Sequence, residues 1–182
     1  MTKIIFDSDG LIKLVKAGCF RKLPDYFTCL ISNEVYEETV LKGMERLYED
    51  AFRIEELVKK KMLKVENVKI NNKAQSILEN SKVGKGEIST LHLFFNTKAK
   101  AIISDDRIFL KILHQNNIPF IIPIDLIIRL YELKIISKQE AIDGLIGIHQ
   151  SSVKELKTLL CTVILRVINF PCFSGLVLME HG

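Results

Sequence analysis

The sequence predicts an α/β fold: a three-layer α/β/α sandwich around a central parallel sheet of about four to five strands. Two observations carry that expectation. Short, almost wholly apolar runs recur along the chain, at Lys3–Phe6 (KIIF), Phe27–Ile31 (FTCLI), Ala101–Ile103 (AII) and Pro119–Ile122. Runs of this length without polar alternation suit strands buried on both faces. Between them lie segments with apolar residues at helical spacing, the usual crossover between parallel strands.

The elements follow in order. Leu11, Ile12, Leu14 and Val15 recur at helical spacing up to Gly18, a helix stop. Ser32 or Asn33 can cap the next helix, which begins near Glu34. Met44–Lys60 reads as one charged amphipathic helix, and Leu63–Val68 as a short edge strand. Asn71–Asn80 is helical, Gly84-Lys85-Gly86 is a turn, and a helix starts at Glu87. Phe109–Gln115 is helical. Ile124–Leu133 and Lys138–Ile148 form a helix pair joined by a short turn at Lys134–Ser137. This places one domain over residues 1–150 and an apolar extension, without an assigned role, over residues 151–182.

Composition narrows the class. With 48% apolar and 26% charged residues the chain is globular rather than disordered. A net charge of +4 permits a nucleic-acid partner without requiring one. Cys19, Cys29, Cys161 and Cys172 form no C-x-x-C pair, which argues against zinc, and are too few for a disulfide scaffold. They read as reduced thiols of a cytoplasmic protein. No signal peptide is expected, because strand-like sequence starts at once. Leu159–Met179 approaches the length of a membrane span, but Arg166, Asn169 and Pro171 interrupt it, so no membrane association is expected. Packing on the domain, burial in a dimer interface and a shifted reading frame stay open for this stretch.

The chemistry lies in the acids. Asp7 and Asp9 follow the first apolar run, and Asp105 and Asp106 follow the third. In parallel sheets reactive groups collect beyond the strands' C-terminal ends, where the strand order switches. Glu38 and Glu87 sit early in helices. Singly, each acid suits a helix cap or the helix dipole. If they converge, their charges repel and raise one another's pKa, and a divalent cation resolves the conflict. Carboxylates are hard oxygen ligands suited to Mg²⁺ or Mn²⁺. Such an ion can assist in-line displacement at a phosphate.

Four segments then resemble the motifs of the PIN-domain family. IIFDSDGLIKL is similar to the first, ISNEVYEETV to the second with Glu38, GKGEISTLHL to the third with Glu87, and IISDDRIFLKIL to the fourth with Asp106 and Ser104. PIDLIIRLYELKIISKQEAIDGL resembles the terminal helix pair of small prokaryotic members, so the likeness spans Thr2 to His149. The resemblance implies a metal-dependent ribonuclease, in many members the toxin of a toxin–antitoxin pair. It implies Asp7, Glu38, Glu87 and Asp106 as catalytic and metal-binding residues, with Asp105 and Asp9 as further metal ligands. Asp9 departs from the family, which commonly has Ser, Thr or Asn there. RNA is the implied substrate, an antitoxin the partner that a toxin role implies, and a homodimer the expected assembly. Ser104, Lys85 and Arg107 are candidates for substrate contact, although solvated surface is the plainer reading of the two cations.

Two other readings stand beside it. FDSDGLI also resembles the nucleophile motif of haloacid-dehalogenase-type phosphatases, with Asp7 attacking phosphorus and Asp9 as general acid. That reading leaves Glu38 and Glu87 without a role. A non-catalytic nucleic-acid-binding module is the third, and lost acids would be its mark. His92, His114, His149 and His181 show no ligand spacing. Lys59, Lys60, Lys61 and Lys64 form a basic cluster that can meet RNA backbone or simply end a solvated helix.

Overall fold

The computed structural model describes residues 1–79 and 81–150. Five strands, β1 (Thr2–Phe6), β2 (Phe27–Ser32), β3 (Lys64–Glu66), β4 (Ala101–Ile103) and β5 (Phe120–Ile121), form one sheet in the order β3-β2-β1-β4-β5. Every pairing is parallel. The helices are α1 (Ser8–Lys16), α2 (Asn33–Tyr36), α3 (Lys42–Glu45), α4 (Glu49–Lys59), α5 (Asn72–Leu78), α6 (Lys85–Thr97), α7 (Arg107–Gln115), α8 (Pro123–Glu132) and α9 (Lys138–Gln150).

Strand alternation builds two cores from one sheet. Ile4 and Phe6 of β1, Cys29 and Ile31 of β2 and Ile103 of β4 face one way. Leu11 and Leu14 of α1, Ile54 of α4, Ile127 of α8 and Leu145 of α9 cover that face. Ile5, Leu30 and Ile102 face the other way, under Ala74 of α5, Leu91 of α6 and Phe109 of α7. Burying a side chain such as Leu11 stabilises by about 2 kcal/mol. A surface ion pair contributes at most about 1 kcal/mol. The sandwich, and not its charge pairs, therefore holds the site in place.

The expected Met44–Lys60 helix is two helices. Leu47 between them is left-handed at φ 58°. The Tyr48 amide donates to the Gly43 carbonyl at 2.9 Å and the Leu47 amide to the Met44 carbonyl at 2.9 Å. This is a Schellman stop, made here without glycine at the left-handed position. Gly43 matters elsewhere: a β-carbon on it would lie 2.7 Å from that of Ala51 in α4, so glycine lets the two helices touch. Smaller differences come from capping. Gly84 caps α6, which thus begins at Lys85 rather than Glu87, and Asp106 caps α7, which begins at Arg107. A 3-10 segment, Phe20–Asp25, and a π-turn, Glu37–Leu41, have no plain signature in the sequence.

Among the described residues no helix is long and apolar enough to cross a membrane. The stretch Leu159–Met179, with Cys161 and Cys172, lies outside them. Cys19 and Cys29 are buried free thiols, and burial pushes their pKa up to about 11 and about 12. They are inert at neutral pH.

Candidate active site

The strand order reverses between β1 and β4: from β1 the sheet grows one way to β2 and β3, and from β4 the other way to β5. The cleft expected there is the site of Asp7. Its amide continues the ladder beyond β1, donating to the Ile103 carbonyl at 3.1 Å. Its side chain caps α1, with Oδ1 accepting from the Gly10 amide at 2.7 Å. The Ser104 hydroxyl donates to Oδ2. Asp7 is 2% exposed. Burial pushes its pKa up to about 7. The hydrogen bonds from Ser104 and Gly10 oppose that rise, while the charges of Asp9 and Glu87 add to it.

Glu38 arrives from a different element. It lies in the π-turn, where one additional residue re-aims the following side chains. The Ser8 hydroxyl donates to Glu38 Oε2 at 2.7 Å. A β-carbon on Gly86 would sit 3.0 Å from the same oxygen, so α6 passes close by. Glu87 stands one residue on, in the first turn of α6. Its pKa is raised, first by burial and then by the charges of Asp106, Glu38 and Asp9. Asp106 caps α7, its Oδ1 accepting from the Phe109 amide at 2.7 Å. A buried bridge locks these elements together: the Ser32 and Ser89 hydroxyls meet at 2.7 Å, and Ser89 also donates to the Gly86 carbonyl at 2.8 Å.

The structure thus brings Asp7, Glu38, Glu87 and Asp106 near one another from four parts of the chain, with Glu87 acting on Asp7 and acted on by Asp106 and Glu38. Asp9 stands exposed at its rim with a raised pKa; partial burial is the main cause, opposed by Lys13 and aided by Asp106, Asp105 and Glu38. Asp105 points to Lys13 and forms an ion pair with it. Lys85 and Arg107 are exposed, each the first residue of a helix that opens at the cleft. A cation there works against the helix dipole, so capping does not explain either one. His92 is buried away from this chemistry, its Nδ1 accepting from the Asn71 amide at 2.9 Å. The basic cluster is at the wrong end of the sheet: α4 delivers Lys59–Lys61 to the start of β3, whereas Asp7 lies beyond the strands' C-terminal ends.

Ser8 and Lys13 were not singled out from sequence. Only position hinted at them: Ser8 is flanked by two acids, and Lys13 follows Asp9 by one helical turn.

Among the described residues no three His, Cys, Asp or Glu side chains are grouped closely enough to hold a metal ion as placed. The donor chemistry fits a hard divalent ion nonetheless. The acids are oxygen donors, and Asp7, Asp9 and Glu87 each have a pKa raised in part by their neighbours' charges. The positive ends of α1, α6 and α7 face the same cleft and offset that charge only in part.

A parallel sheet with acids gathered at its switch point suits metal-assisted chemistry at a phosphate. The chain belongs to the PIN-domain family, whose model (DUF3368, PIN domain) matches residues 3–154. PIN domains are generally nucleases that act on nucleic acids with divalent metal ions. No curated protein and no solved structure matches the chain.

Proposed function

We propose that this chain is a ribonuclease dependent on Mg²⁺ or Mn²⁺, with Asp7, Glu38, Glu87 and Asp106 as its acids. The observation that carries the reading is the meeting of these four carboxylates at the β1–β4 switch point, around a buried Asp7. They would hold the metal, which when bound supplies charge stabilisation for the phosphodiester and activation of the attacking water. The protein's own work is placement. Ser104 and the Gly10 amide fix both oxygens of Asp7, and Ser8 fixes Glu38. Lys85 and Arg107 stand at the rim, where an RNA backbone would meet positive charge. Asp105 serves as a counter-ion to Lys13, and Asp9 as an outer acid.

The family assignment favours a nuclease over a phosphatase, and the phosphatase reading leaves Glu38 and Glu87 without a role. All four acids are present, which favours an enzyme over a binding module. A toxin role and an antitoxin partner extend the same reading and rest on the resemblance to small prokaryotic members; a homodimer and, from the reduced cysteines, a cytoplasmic location are proposed with it.

The deciding experiment is cleavage of a labelled single-stranded RNA with Mn²⁺, by wild type and Asp7→Asn, with a phosphate monoester as second substrate. Cleavage lost by at least about a hundredfold in the variant supports the reading, since even residues behind a metal ligand cost 10–100-fold. Phosphate release without RNA cleavage sinks it. Ser8→Ala should weaken Mn²⁺ binding about tenfold by freeing Glu38, with a stability change of at most about 1 kcal/mol, because this bond is exposed. Calorimetric titration and urea denaturation read the two effects separately.

A further inference from the structure

The cleft holds two carboxylates beyond the four assigned to the metal: one is paired with Lys13, and the other feels its charge. Lys13 Nζ pairs with Asp105 Oδ2, across the switch point from α1 to the end of β4. Lys13 also acts on Asp9, four residues earlier on the same face of α1. The pair is sheltered, with side chains 21% and 31% exposed, unlike the solvated pairs along α4 such as Arg53 with Glu49, at 49% and 80%. Asp9 lies two positions after Asp7, and Asp105 directly precedes Asp106.

We propose that Lys13 is a resident cation that balances Asp9 and Asp105, so that the cleft takes one divalent ion and not two. This rests on the function proposed above. Two ions sharing a phosphodiester site sit about 3.5–4 Å apart and need carboxylates flanking both. Here the flank that Asp105 would supply is taken by an ammonium group, which cannot ligate a metal and repels a second cation. The lysine is tethered by its helix, so unlike a metal it cannot be removed by chelation.

The test counts Mn²⁺ bound to the full chain, by calorimetric titration with electron paramagnetic resonance of free Mn²⁺ as a second count. Wild type should bind one ion, and Lys13→Met two. Lys13→Met combined with Asp105→Asn should return to one. Lys16→Met is the charge control: Lys16 pairs with Asp50 of α4 at 3.6 Å, outside the cleft, and its loss should leave the count at one. Lys13→Arg keeps the cation and should also bind one. Lys13→Gln serves if Lys13→Met fails to fold. A count that stays at one in both neutral variants, or a wild type that binds two, overturns the role of Lys13 and leaves the nuclease reading intact. A double variant that still binds two overturns the role of Asp105. A wild type that binds no Mn²⁺ overturns the proposed function, and the lysine's role with it.

Discussion

Asp7→Asn is expected to stabilise the metal-free chain at pH 8, by roughly 2–4 kcal/mol, and to change it little at pH 4. Burial pushes the Asp7 carboxyl from 3.8 up to about 7. Between those two values the folded chain binds more protons than the unfolded chain. Its stability therefore falls as pH rises through that window, and the full penalty is present above about pH 7. Below the unfolded value both states are protonated and the penalty vanishes. Asparagine carries no charge to desolvate. It caps a helix as well as aspartate does, and its amide can donate to the Ser104 hydroxyl in place of accepting. Urea midpoints at pH 4 and pH 8, with chelator present, read the effect. A variant less stable than wild type at pH 8 would mean that capping outweighs desolvation, and Asp7 would then be structural first. The same substitution should abolish RNA cleavage, and stability gained with activity lost marks a site strained for function.

Gly10→Ala should destabilise the chain by about 2–3 kcal/mol and also disable the cleft. A β-carbon on Gly10 would lie 2.5 Å from the Ile103 carbonyl oxygen and 2.9 Å from Asp7 Oδ1. The first contact is strand backbone and cannot yield cheaply. Alanine is the better helix former by about 1 kcal/mol, but a backbone clash between α1 and β4 exceeds that gain. Any relief by moving α1 pulls the Gly10 amide from Asp7. Gly86→Ala is the informative contrast, because the one tight contact of its β-carbon would be the far end of the Glu38 side chain, at 3.0 Å, with Ser8 Oγ and Val35 Cγ2 at ordinary contact distances of 3.5 and 3.8 Å. It should cost about 1 kcal/mol or less while displacing Glu38. Equal stability losses in the two variants would refute this account of Gly10.

Much of this was legible in the residues themselves. Four of the strands announced themselves as apolar runs, because a strand buried on both faces has no room for polar alternation. The edge strand β3 is shorter than its expected segment, since only Lys64–Glu66 pairs with β2. The acids were legible by their order and by their place after strands and at helix starts. Met44–Lys60 reads as one helix because its apolar spacing is helical throughout. The stop is a Schellman turn with Leu47 in the left-handed region, where no glycine marks it in the sequence.

By itself the sequence determined the fold class and the family's motifs, because period and strand-end position are local properties of a chain. Tertiary structure alone decided how those acids differ. Asp7 and Asp106 both follow strands and both cap helices, yet only Asp7 is sealed between Ser104 and the Gly10 amide. Asp105 and Asp106 are neighbours, yet Asp105 turns to Lys13 on α1, 92 positions away in the sequence. Burial and charge act through space at a few ångströms, so the difference between a sealed, a capping and an ion-paired carboxylate exists only once β1 and β4 lie side by side.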